Sequence, residues 1–478
     1  MEWSKLLSTR KLATEEPEPP DFEQYPISAF ERDYNKIVSS GAFRRLQDKT
    51  QVFPLDKSDF VRTRLTHSIE VSTIARQLGI MISKNTTPYK KEEIGERESE
   101  GICSVLQCAG LLHDLGNPPF GHFGETTIGE WFRENLDEIS YKGKPLRQQL
   151  KPQMAADLEH FEGNAQALRI LAKGKYNSEM NLSAAVISTL VKYPTESLKV
   201  DKASPDVRRH KLGCYYGDRD SFLRISQIVG TRGENGEIFR HPLTYMLEAA
   251  DDIAYATADL EDAFAKGLFT LNDFIAFFKD SFDWERSQQH NKPEYYSRQL
   301  IYDLKGRRGK EPTPVQDSRA FREWIVYVRR WLMYIAVYRF SRSYDEIMKG
   351  QYQQDLFYGT NHSESIKILK NAMGQFVYDS PGILKLELSS QTILSFLLDK
   401  FVHAALYFDY QQEGWKPSKA DKKFMSLFPD NYKQDYLDAR TGDEQMDLYL
   451  RLLMVTDYIS GMTDSYARTL YRELSGIE

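Results

Sequence analysis

Cysteine is scarce: Cys103, Cys108 and Cys214 are the only three in a chain of 478 residues. Three thiols without metal-ligand spacing make neither a disulfide framework nor a cysteine zinc site, and they fit a reducing compartment. Long apolar runs are missing too. No stretch approaches the ~20 residues that a membrane span needs, so a transmembrane helix is excluded. The opening Met1-Glu2-Trp3-Ser4-Lys5 lacks the apolar core of a secretory leader, and a cytoplasmic protein with no membrane partner is expected. There is no excess of cations: the formal net charge is -6. Bulk charge therefore does not advertise nucleic-acid binding, and any phosphate site must be a local patch. Internal repeats and sustained heptads are absent, which excludes a solenoid or a coiled coil. Strand signals are few; Lys49 to Phe53 and Gly236 to Phe239 are the segments that could pair.

What is present is helical spacing in an ordinary globular composition, 41% hydrophobic and 28% charged. Residues 13 to 21 are acidic and proline-rich and read as an extended lead-in. From Ile27 to about Thr270 the chain reads mostly as helix, an all-α pattern. Leu65, Ile69, Ile74 and Leu78 mark one helix, with Gly79 as its expected stop. Residues 85 to 100 are polar and charged and read as a loop or an exposed insertion. Val105 to Leu115 is apolar nearly all round, as a buried core helix would be. Asn181 to Val191, Thr244 to Phe264 and Ala320 to Phe340 also read as helices. The span 194 to 220 is basic and turn-rich, and Lys305 to Lys310 is expected to form a loop.

Against that background four residues stand out: His67, the pair His113-Asp114, and Asp251. Two imidazoles and two carboxylates suit a divalent cation that keeps positions open for water and substrate. A His-Asp dipeptide alone says little. This one closes an apolar helix, where a buried His and Asp must be paired with each other or bound to something. Arg62, Arg64 and Thr66 precede His67 and suit a phosphate-facing site; the plain alternative is a surface histidine near a helix start. Asp251, Tyr255, Asp259 and Asp262 share one helix face, which is either solvated or the wall of a polar pocket. The loop after His113-Asp114 adds His122 and Glu125. Phe43 to Phe53, with Arg45 and Gln51, is either an amphipathic helix end or a phosphate and sugar clamp. Lys192-Tyr193-Pro194 closes another helix, and surface placement would explain it equally well.

The words FRRLQDKTQVF, RTRLTHSIEV, GLLHDLGNPPFGHFGE, HFEGNAQALRI, LVKYP, EAADDIAYATADLEDA and DYISGMTDSYARTLYREL resemble the HD-domain phosphohydrolases. Within them, they resemble the dGTPase-like deoxynucleoside triphosphate triphosphohydrolases. The resemblance implies a mainly helical HD-domain fold with minor β elements. It implies a lead-in over 1–30, a catalytic core over 31–275 and a helical region over 276–478 packed on that core. It makes His67, His113, Asp114 and Asp251 ligands of one divalent metal, Mg²⁺ or Mn²⁺, with other transition metals possible. His122 and Glu125 become the catalytic pair supporting attack of water on the α-phosphorus. Gln51, Tyr255 and Asp259 would read the deoxyribose, with the Tyr255 ring where a 2′-hydroxyl would sit. Lys192, Tyr193, Asn164, Arg45 and Arg62 resemble phosphate contacts. The implied reaction is metal-dependent hydrolysis of a deoxynucleoside triphosphate, dGTP foremost, to deoxynucleoside and tripolyphosphate. The implied partners are the nucleotide, further copies of the chain in a hexamer or tetramer, and single-stranded DNA as an effector. Two alternatives are an HD hydrolase of another nucleotide and a regulatory nucleotide- or single-stranded-nucleic-acid-binding protein. Gln51, Tyr255 and Asp259 argue against the first, and the intact ligand set with His122 and Glu125 against the second.

Overall fold

The computed structural model describes residues 1–12, 27–53, 60–90, 94–173, 180–290, 292–309, 312–378, 381–409 and 417–477. The acidic lead-in expected over 13–21 lies outside them.

Apolar spacing sets the helices, and side-chain caps start several of them. Helix α1, Ala29–Ser39, opens on a capping box in which Ser28 and Glu31 bond each other's backbone N–H. Helix α2, Arg64–Lys90, buries Val71, Ile74, Ala75, Leu78 and Ile82, a spacing that keeps one face inward. It lies along α3, Glu96–Leu112. The expected stop at Gly79 is overturned, as is the loop over 85–100: α2 runs on to Lys90 and α3 begins at Glu96. Gly79 serves the crossing instead. A Cβ there would stand 3.1 Å from the Leu106 side chain and 3.2 Å from the Cys103 backbone. Gly110 does the same from the other side, where a Cβ would fall 2.4 Å from the Ser72 Cα. These two glycines let the helices carrying His67 and His113 nearly touch.

Helix α4 is Gly121–Asn135, α5 Pro152–Glu159, α6 Gly163–Ala172 and α7 Ala184–Leu190. Helix α8, Pro242–Ala265, packs on α2 and on α10, Pro314–Arg342. Helix α9, Pro293–Arg308, takes in most of the segment expected as a loop at Lys305–Lys310. Arg307 meets Asp303 at 2.5 Å and Arg308 meets Asp317 at 2.6 Å, so the cations fall in a last turn, where the helix dipole favours them. The stop is Gly309, with φ +81°. Among the helices toward the C-terminus are α11, Pro381–Ala405, α12, Glu444–Ser460, and α13, Asp464–Ser475.

Strand is almost absent. Among the described residues the one sheet is a hairpin of β1, Ser140–Tyr141, and β2, Lys144–Pro145. The expected pairing of Lys49–Phe53 with Gly236–Phe239 does not occur: Thr50 bridges to Thr63, and Ile238 bridges to Arg232. No helix among the described residues is long and apolar enough to cross a membrane.

Two cores divide the apolar side chains. The first gathers α2, α3, α8 and α10 together with Trp3 and Leu6, and extends to Ile383. The second gathers Phe120, Ile128, Phe132 and Leu136 around α4, with α5 and with Ile393 to Leu470 of the last helices. The segment between Leu112 and Gly121, which holds Asp114 and Asn117, lies between the two cores.

Candidate active site

Three helices converge on one point. His67 sits in the first turn of α2, His113 directly after α3, and Asp251 midway along α8. The Asp251 Oδ1 stands 3.4 Å from His67 Nε2 and 3.4 Å from His113 Nε2. One ligand atom from each of the three lies within 4.8 Å of the others. His113 Nδ1 donates to the Gly110 carbonyl at 2.9 Å, which fixes its tautomer and leaves Nε2 bare. That buried Nε2 has no hydrogen bond among the described residues. A bare imidazole nitrogen beside a second imidazole and a carboxylate fits a divalent cation.

Asp114 stands beside this trio. Its Oδ2 is 3.5 Å from His113 Nε2 and accepts from Arg64 Nη1 at 2.6 Å, while Oδ1 accepts from Asn117 Nδ2 at 2.6 Å. Burial opposes its ionisation, but Arg64 and then the two histidines outweigh burial and bring its pKa to about 2. Burial likewise opposes charge on His113, yet Asp114 and Asp251 raise its pKa. Lys192 Nζ donates to Asp251 Oδ2 at 2.7 Å. Although burial disfavours the ammonium, Asp251 holds it charged and its pKa is raised.

His122 and Glu125 lie together near the start of α4. Glu125 is buried, and its Oε2 meets His122 Nδ1 at 3.0 Å while Oε1 accepts the Gly163 N–H at 2.8 Å. The His122 side chain is 82% exposed, so its other ring nitrogen is open to a ligand. The bond to Glu125 raises the His122 pKa. The two residues line a cavity of about 250 Å³ shared with Lys211, Lys202 and His210.

The sugar-reading candidates lie further along. Asp259 is fully buried, two turns beyond Asp251, and among the described residues neither of its oxygens has a hydrogen-bond partner. Burial, with Asp262 next, lifts its pKa well above the carboxylate range. Gln51 Oε1 is also buried and has no hydrogen-bond partner among the described residues. Between Asp251 and Asp259, Tyr255 bonds the hydroxyl of Tyr378.

The expected phosphate contacts separate. Lys192 remains at the cluster on Asp251, and the next residue, Tyr193, has the Arg240 guanidinium 5.7 Å from its ring. Asn164 donates to Glu162 Oε1 at 2.6 Å, and Lys211 meets the same carboxylate at 2.9 Å. Arg45 reaches the Gly461 carbonyl at 3.3 Å and Tyr432. Arg62 faces away from the trio in this structure: Glu70, Glu261 and Asp262 all pair with it. The arginine that does reach the cluster is Arg64. Sequence reasoning passed over Asn117, Lys49, Lys211 and Tyr378. Asn117 and Lys49 stand inside the diagnostic words, whereas Tyr378 has no local signal at all.

Two family models match the chain: the HD domain over residues 64–189 and the phosphohydrolase-associated domain over residues 358–473. A deoxyguanosinetriphosphate triphosphohydrolase-like protein of Listeria innocua is 41% identical over the full length of both chains. One from Synechocystis is 32% identical, again over the full length of both. The deoxyguanosinetriphosphate triphosphohydrolase of Serratia proteamaculans is 32% identical over 95% of each chain.

Proposed function

The chain belongs to the HD-domain, deoxyguanosinetriphosphate triphosphohydrolase-like family of phosphohydrolases, and from that premise we propose that it hydrolyses deoxynucleoside triphosphates, dGTP foremost, to deoxynucleoside and tripolyphosphate. The observation that carries the reading is the pairing on α8. Asp251 closes the two-histidine cluster, and two turns on Asp259 offers two buried oxygens with no partner. Buried acceptors left unpaired cost stability unless a ligand supplies the donors, and a sugar hydroxyl is such a donor.

His67, His113, Asp114 and Asp251 would hold the divalent cation, Mg²⁺ or Mn²⁺. When bound, it supplies positive charge against the α-phosphate oxygens. The chain's own groups do the rest. Lys192 brings a fixed cation to the polyphosphate, with Tyr193, Asn164 and Arg45 as further contacts, so that water meets the α-phosphorus and not the γ. His122 Nε2, oriented by Glu125, takes the proton of that water. Tyr255, steadied by Tyr378, fills the space of a 2′-hydroxyl, and Gln51 and Asp259 bond the 3′-hydroxyl. The test is incubation with each deoxynucleoside triphosphate and Mg²⁺ or Mn²⁺, followed by chromatography. Deoxynucleoside and tripolyphosphate are expected; products limited to diphosphate and orthophosphate, or monophosphate and pyrophosphate, would refute the reading.

A further inference from the structure

Two segments that carry site residues are tied to one carboxylate from the far end of the chain. Asp464, the first residue of α13, is 2% exposed. Its Oδ1 accepts the Phe120 N–H at 2.9 Å, and its Oδ2 accepts the Thr50 N–H at 3.0 Å and bonds the Thr50 hydroxyl as well. Three donors on one buried carboxylate make a fixed point, because charge-assisted bonds are short and directional.

Both segments need such a point. Phe120 has φ 64°, the left-handed region that side chains avoid, and Gly121 follows at φ 63°. This strained turn launches α4, whose second residue is His122. Thr50 precedes Gln51 and bridges to Thr63, and the Lys49 carbonyl accepts the Arg64 N–H at 3.2 Å, where α2 begins. The same clasp is reinforced on both sides. Lys49 Nζ donates to the Asn117 and Ser460 carbonyls at 2.6 Å each, and Ser465 Oγ donates to Asp48 at 2.9 Å.

We propose that Asp464 is a positioning residue for hydrolysis, setting Gln51 and the His122–Glu125 pair in register with each other. The proposal rests on the triphosphohydrolase reading above. It gives the phosphohydrolase-associated segment, which contains Asp464, a part in completing the site beyond covering the second core.

Asp464→Asn keeps one acceptor oxygen and so releases one of the two segments. The kcat for dGTP is expected to fall by ~100-fold, the usual scale for a misplacement of about 1 Å. Mn²⁺ affinity should hold, because Asp464 bonds neither histidine nor Asp251. The imidazole NMR titration of His122, which also faces Lys211 and Glu162, should shift as its bond to Glu125 loosens. Thr50→Val removes only the hydroxyl donor and should raise KM several-fold, with Thr50→Ser restoring it. An Asp464→Asn enzyme with wild-type kcat and an unmoved His122 titration overturns the proposal, whatever its melting temperature. If that variant does not fold, the Thr50 pair decides: an unchanged KM in Thr50→Val overturns it equally. Should the wild type turn over no deoxynucleoside triphosphate, the triphosphohydrolase reading fails, while the His122 titration still tests Asp464.

Discussion

Each cluster residue owes its chemistry to what holds its second atom. The His113 Nδ1–H donates to the Gly110 carbonyl, which leaves Nε2 bare, and Lys192 holds one Asp251 oxygen and leaves the other to the histidines. His113→Ala or Asp114→Ala should therefore lose metal and activity together, since nothing nearby replaces either group. Elemental analysis of the dialysed variants checks this, and full occupancy in both would contradict the assignment. His122 gives a separable effect. His122→Ala should keep metal and nucleotide binding but lose ~100-fold or more in kcat. As a base, His122 works when neutral, and its pKa is raised by Glu125. The wild-type rate should climb with pH through a midpoint above the ordinary histidine value of about 6.5. Glu125→Gln removes the main cause of the raised pKa, so the acid limb of its residual activity should move to lower pH. A limb that stays put would detach Glu125 from His122.

On the proposed reading, helix α8 would combine a cation site with a sugar site. The 3.6-residue period puts Asp251, Tyr255 and Asp259 in line, so a sugar bound beside the cluster must pass the tyrosine ring. Tyr255→Ala should raise the use of GTP relative to dGTP, read as the ratio of kcat/KM values; an unmoved ratio would remove this face from sugar selection. Asp259 illustrates a conflict between function and stability. Its raised pKa means that the folded chain keeps a proton which the unfolded chain loses, so stability falls as pH rises from the ordinary carboxyl range. Asp259→Asn removes that cost. Near neutral pH it should stabilise the protein by about 1–3 kcal/mol while weakening nucleotide binding. Melting curves across pH check it: a variant as pH-dependent as wild type would show that Asp259 is not the group responsible.

At the scale of the whole molecule, the loop before α4 joins the two cores, with Leu115 in the first and Phe120 in the second. Phe120, Ile128, Phe132 and Leu136 are buried against residues from Ile393 to Leu470. A chain ended at Tyr378 would keep His67, His113, Asp114 and Asp251 yet uncover that face, since apolar area loses its partner. Such a truncation should bind a hydrophobic dye, be cut rapidly within residues 121–159 by protease, and show no hydrolase activity. A truncation as protease-resistant as the full chain would mean that the first core supports α4 alone.

The sequence by itself determined the helical class and the identities in the cluster. Apolar spacing is local, and His67, His113-Asp114 and Asp251 stand in words whose residue types are chemically demanding. It misplaced helix ends wherever a glycine had two possible uses: Gly79 and Gly306 read as breaks, but one serves a helix crossing and the other lies within a helix closed by ion pairs to Asp303 and Asp317. Only the tertiary structure decided which carboxylates each arginine meets. Arg62 and Arg64 are two residues apart and chemically alike, but the first meets three carboxylates of α2 and α8 and the second reaches Asp114. The same holds for Tyr378 on Tyr255 and Asp464 on Thr50 and Phe120. Those partners lie more than 100 residues apart in the chain, and no periodicity spans such a distance; only the packing of α8, the turn Gly374–Tyr378 and α13 around the two cores brings them together.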